Sequence, residues 1–206
     1  MPNWCSTSYQ IVGKQQNVDK LFKELQKVLS TDRSDEKDNT SFLPDSSWLG
    51  YVVSDILGID HEKECIPCRG NIDYMEEQMN DNESFAYFAL STETAWTDCR
   101  KLFYLLSVKF DVEILFYTEE LGCDIHETND EEGLYFDTRY LLDDSNNDMN
   151  YYSSFESLAK EIEEMTGERP DEFKDIDEIL ERHRLSESMY AHQIDIVSLL
   201  DGISDS

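Results

Sequence analysis

Basic residues are scarce in this chain. Seventeen Lys and Arg stand against 46 Asp and Glu, a formal net charge of −29. Phosphate binding needs clustered cations, so the composition disfavours direct contact with DNA, RNA or anionic lipid. Glycine and proline are also few, at 8 and 4, and the glycines are dispersed. No phosphate-cradling loop or dinucleotide fingerprint is present, and no nucleotide cofactor is expected. Nothing beyond a few residues is continuously apolar, which predicts no membrane span. The opening residues lack a basic region followed by an apolar run, so the expected location is the cytoplasm. The five cysteines (Cys5, Cys65, Cys68, Cys99, Cys123) are odd in number and scattered, the pattern of reduced thiols rather than a disulfide framework.

What is present is an amphipathic α+β pattern. From Cys5 to Val12 the chain alternates, with Cys5, Thr7, Tyr9 and Ile11 on one face, and Gly13 is read as the strand's end. A helix follows, with Asn17 as its expected cap. Val18, Leu21, Phe22, Leu25, Val28 and Leu29 form its apolar stripe, and Lys20, Lys23 and Lys27 fall on the opposite face. Residues 30–46 read as a long polar loop, and Trp48 to Leu57 as an inserted helix stopped by Gly58. Residues 71–79 and 84–92 predict a hairpin turning at 80–83. A helix from Asp98 to Phe110 and a strand from Val112 to Thr118 complete the series.

The order strand, helix, strand, strand, helix, strand is the ferredoxin-like β-α-β-β-α-β arrangement, with helices on one face of an antiparallel sheet. It is assigned to residues 1–122, with the inserted loop and helix at 30–70, and residues 123–206 form an acidic α/β extension. In the extension, short strands are expected near Ile125 and Tyr140. Helices are expected over Phe155–Met165, capped by Ser153 or Ser154, and over Asp175–Arg184; a strand is expected over Met189–Val197, before a fraying end at 202–206.

Constellations that could carry chemistry are few. Cys65-Ile66-Pro67-Cys68, with His61 upstream, has zinc-ligand spacing but no second pair to close a site, so no metal is assigned. Cys99, Cys123 and His126 could converge only through the fold. No His stands beside a Cys with a catalytic signature, and adjacent carboxylates in so acidic a chain read as solvated edges. No catalytic or cofactor-binding residue is therefore assigned. Trp4, Cys5, Trp96 and Glu120 are the residues expected to gather at one end of the sheet, as a surface or pocket. Large aromatics there are expected to cover the edge of the core, and Gly122 is expected to be a left-handed turn glycine after Glu120.

Pro2-Asn3-Trp4-Cys5, the strand running to Gly13, Thr94-Ala95-Trp96 before a helix, and Glu120-Leu121-Gly122 after the next strand resemble the YubB-type ferredoxin-like proteins of bacterial plasmids, prophages and conjugative elements. The likeness covers about residues 1–130. This chain departs from the family's usual pattern at Ser6-Thr7-Ser8 and Thr97-Asp98-Cys99, and lacks its Trp-Gly-Thr-Lys-Trp-like segment. The resemblance implies the fold and a mobile-element setting, and no activity. The expectation is a non-enzymatic accessory protein with no membrane role, whose acidic surface binds a basic protein and could imitate a nucleic acid. The rival expectation is a small enzyme with a cleft between the ferredoxin-like unit and the extension.

Overall fold

A computed structural model describes residues 3–33, 45–82, 84–144 and 149–201. Most of the expected 30–46 loop, Glu83 and the expected fraying end at 202–206 lie outside them. The chain is α+β and divides into two compact units, residues 1–125 with 197–206, and residues 126–196. Among the described residues no helix is long and apolar enough to cross a membrane.

The first unit is built on β1 (Trp4–Lys14), whose alternation is that of a strand buried on one side. It lies between β4 (Phe85–Ala95) and β5 (Glu113–Glu120), antiparallel to both. On the other side of β4 lie β2 (Gly70–Met75) and β3 (Met79–Asn82), each with a register shift. The order β5-β1-β4-β2 makes the first and third strands of the basic pattern central.

Helices α1 (Gln15–Ser30) and α3 (Arg100–Phe110) supply the apolar cover. Val18, Leu21, Leu25 and Val28 of α1 and Leu102, Phe103 and Leu106 of α3 are buried with Tyr9, Ile11, Phe88, Leu90 and Phe116 of the sheet. Tyr9 and Phe103 stack with centroids 3.6 Å apart and planes at 16°. Val197 and Leu199 pack against the same core.

Several local expectations need correction. The first strand runs through Gly13 to Lys14 instead of stopping there. Asn17 does not cap α1; it lies inside the helix and its amide donates to the Asp111 carbonyl at 3.0 Å. The hairpin turn is tighter than read, because Asn80 and Asn82 pair with Ala86 and Phe85. The inserted helix α2 begins as an α-turn at Leu49–Tyr51 and widens into a π-helix over Val52–Leu57, ended by Gly58 at φ 73°. Val52, Val53 and Ile56 still face the core, so the apolar stripe survives the change of pitch. The Arg33 guanidinium lies 3.6 Å over the Tyr51 ring and meets Asp55 at 2.6 Å, tying the end of α1 to α2.

In the second unit, β7 (Tyr140–Asp144) lies between β8 (Asn150–Tyr152) and β9 (Met189–Gln193), antiparallel to both. The short β10 (Asp195–Ile196) runs parallel to β6 (Ile125–Thr128). Helices α4 (Phe155–Thr166) and α5 (Asp175–Arg182) bury Leu158, Ile162, Ile176, Ile179 and Leu180 with Leu142 and Met189. Ser154 caps α4 as expected, its hydroxyl accepting from the Ser157 amide at 3.3 Å, and Gly167 at φ 76° ends it.

Candidate functional site

Strand register brings Trp4, Cys5, Trp96 and Glu120 to one end of the first unit's sheet. Trp4 pairs with Ala95 and Cys5 with Thr94, and the Trp96 amide donates to the Asn3 carbonyl at 3.0 Å. Ser6 pairs with Glu119 on the other flank, placing Glu120 beside the start of β1. The two tryptophans do not cover the core, contrary to expectation. Trp4 is 55% and Trp96 48% exposed, the first on the face of β1 opposite Cys5 and the second displaced by a left-handed backbone at φ 77°.

Beneath them the helix-facing side of the sheet turns polar. The aligned registers form a ladder of Thr92, Thr7 and Thr118 across β4, β1 and β5. The Thr7 and Thr118 hydroxyls are 2.6 Å apart, and the Cys5 sulfur lies 3.2 Å from Thr118 Oγ1. All are fully buried, and burial pushes the Cys5 thiol up despite these hydroxyls. A thiol held protonated is a packing group, not a nucleophile. Asp98 closes this layer at the start of α3, accepting from Arg100 Nε at 3.0 Å and Nη2 at 2.8 Å, while that guanidinium lies 4.8 Å from the Phe116 ring.

Glu120 organises a turn. One carboxylate oxygen accepts from the Gly122 amide at 3.0 Å. The Cys123 thiol beside it, with the Gly122 and Cys123 amides and the Asn3 side chain, holds its carboxyl below the ordinary range against the opposing effect of burial. A general acid needs the reverse shift. Gly122 was expected to be left-handed and is not; a β-carbon there would press on the ends of the Asn3 and Glu120 side chains, which would have to shift. Two surface clefts lie elsewhere on this unit. One of about 500 Å³ is lined by Lys14, Gln15, Gln16, Asp19 and Ser84, and one of about 330 Å³ by Glu24, Lys27, Val28, Thr31, Arg33 and Asp55. None of the four expected residues lines either.

His61, Cys65 and Cys68 do not form a ligand cluster among the described residues. Cys65 is exposed at φ 49°, Cys68 is buried, and the His61 ring packs edge-on to Trp48. Burial likewise raises Cys68, and far more strongly Cys99. Cys123 is exposed, but its thiol is pushed up chiefly by the Glu120 carboxylate. The expected result with a maleimide on the native protein is therefore prompt labelling of Cys65, slower labelling of Cys123, and none of Cys5, Cys68 or Cys99 until denaturant is added. Mass mapping of the labelled peptides checks this; early labelling of Cys5 would contradict the sealed layer.

Two constellations in or at the start of the second unit leave little trace in the sequence. In the first, Asp130 accepts from the Leu134, Tyr135 and Phe136 amides at 3.1, 2.7 and 2.9 Å. Arg139 spans the same loop, donating to the Asp130, Glu131, Phe136 and Thr138 carbonyls. The second contains His126 of β6 and His192 of β9, with ring centroids 4.5 Å apart and planes at 45°. Asp124 lies two residues before His126, and one ligand atom from each of the three side chains falls within 4.8 Å of the others. These are the residues that could hold a metal. Asp124-Ile125-His126 was the visible half of the signal; His192, far along the chain, could be joined to it only by the fold. None of the protein-family models, curated proteins or solved structures compared with this chain matches it.

Proposed function

We propose that the protein is a non-enzymatic interaction module, its first unit ferredoxin-like, whose acidic surface binds a basic protein partner. The distribution of charge carries this reading. Residues 126–196 hold 21 acidic and 6 basic side chains. Cations of this unit are already engaged within it: Arg169 with Glu156 and Glu163, Arg182 with Glu168 and Glu178, Lys160 with Glu164, Lys174 with Glu172. Asp177, Glu178 and Glu181 of α5 are exposed. Such a surface repels polyanions and draws basic surfaces at long range. Imitation of a nucleic acid toward a DNA-handling protein, in the mobile-element setting that the family resemblance implies, is the form of this role that the proposal favours.

The test is quantitative. A basic protein captured on the immobilised chain is purified and its affinity measured at two salt concentrations. The expected Kd rises at least about tenfold between 50 and 300 mM salt, because screening acts on exposed charges. Neutralising the α5 surface with Asp177→Asn, Glu178→Gln and Glu181→Gln is expected to weaken binding by a similar factor with no change in circular dichroism. Salt-insensitive binding, or full affinity in the triple variant, would remove the basis for the proposal.

A further inference from the structure

We propose that Asp124, His126 and His192 form a binding site for a single divalent transition-metal ion of the zinc class. The donor set comes first. Two imidazoles and one carboxylate suit zinc and its neighbours, whereas calcium and magnesium take oxygen-only sets. The geometry agrees. The three ligand atoms lie within 4.8 Å of one another, and an ion with bonds of 2.0–2.1 Å draws tetrahedral ligands to about 3.3 Å. Binding would draw the three side chains together by up to about 1.5 Å.

Backbone structure holds the two histidines. His192, on the edge strand β9, pairs with Leu141 of the middle strand β7, and His126 lies in β6, whose next residues pair with β10. Only Ile194 separates β9 from β10, so one continuous run of chain carries His192 to the strand beside His126. Asp124 reaches the pair through the chain itself, two residues upstream on a left-handed backbone at φ 57°, a conformation Asp tolerates. His126 is buried, His192 half-buried and Asp124 exposed, which leaves an open side through which an ion enters and a water completes the coordination. The ion would link the start of β6 to β9, so the proposed site is independent of the acidic surface on α5.

The experiment uses the full chain, stripped of metal and titrated with zinc chloride by calorimetry. The histidine ring signals are followed by NMR in the same unmodified protein. One equivalent of zinc is expected to bind, shifting the ring signals of His126 and His192 and leaving His61 and His183 in place. Loss of an outer hydrogen-bond partner alone costs 10–100-fold in affinity, so losing a ligand in His192→Ala is expected to cost at least about 30-fold. Asp124→Asn is expected to weaken binding by about tenfold. A Cys65→Ser/Cys68→Ser variant is expected to bind as wild type. Absence of binding overturns the proposal. So does binding that survives in folded His192→Ala, binding lost with the two cysteines, or several weak equivalents that leave the histidine signals unmoved.

Discussion

Asp130→Ala is expected to lower the stability of the second unit by about 3 kcal/mol, from three hydrogen bonds at roughly 1 kcal/mol each. The carboxylate is 2% exposed and serves the Leu134, Tyr135 and Phe136 amides, so truncation strands three donors at once. Burial by itself would raise the Asp130 carboxyl, yet the backbone donors, Phe136 foremost, outweigh it and hold the group below its ordinary range. The sign of the pH dependence follows. A depressed folded-state pKa stabilises fully above the unfolded value of about 3.9 and is lost as pH falls through the folded value. The difference between wild type and Asp130→Asn should therefore be constant near neutrality and shrink in strong acid. A chain of two units need not unfold in one step. Amide exchange at Tyr135 and Phe136, read alongside a urea titration, reports on the loop directly. Unchanged protection of those amides in the alanine variant would refute the assignment.

Phe103→Ala is expected to cost about 3–5 kcal/mol in the first unit, the range for removing a buried aromatic. Phe103 is 2% exposed and lies flat on Tyr9, so its removal opens a void between α3 and the central strand. The companion variant makes the prediction discriminating. Among the described residues the buried Tyr9 hydroxyl has no partner in good hydrogen-bond geometry, and burial together with Asp98, Cys99 and Cys5 raises it well above the usual phenol range, against a weaker lowering by the nearby Thr7 hydroxyl. Tyr9→Phe discards a poorly satisfied polar group while keeping the ring stack, and is expected to change stability by less than about 1 kcal/mol in the destabilising direction, or to increase it. Denaturant titration of both variants checks the pair. A large loss in Tyr9→Phe would mean that the hydroxyl has a partner after all.

Elements whose burial follows a fixed period could be read directly from the residues. The alternation of Cys5, Thr7, Tyr9 and Ile11, the stripe of Val18, Leu21, Leu25 and Val28, and the Ser154 cap all survive in the structure, because each depends on neighbours within a few positions. Features set by distant chain were not readable. The π-turn at Val52–Leu57 keeps the same buried residues as an α-helix would, so its pattern is silent about pitch. Asp130 looked like one more carboxylate in an acidic chain, since recognition of backbone amides leaves no side-chain pattern. Trp4 and Trp96 stand at the expected strand ends; their size predicts core cover, but strand parity and a left-handed backbone turn them outward. The His126–His192 pair was out of reach because sequence spacing cannot show which strands lie together.

The central place of β1 has a consequence for how the chain is made. Its two partners are residues 85–95 and 113–120, so β1 is made well before either strand it lies between. At elongation rates of about 5–20 residues per second, β1 waits on the order of 10 s before β5 exists. During that interval the unpaired edges of β1 are open to wrong partners. Helix α1, which follows immediately and shares its apolar side, is the first cover available to it. The net charge of −29 opposes association between such unfinished chains, because like-charged chains repel.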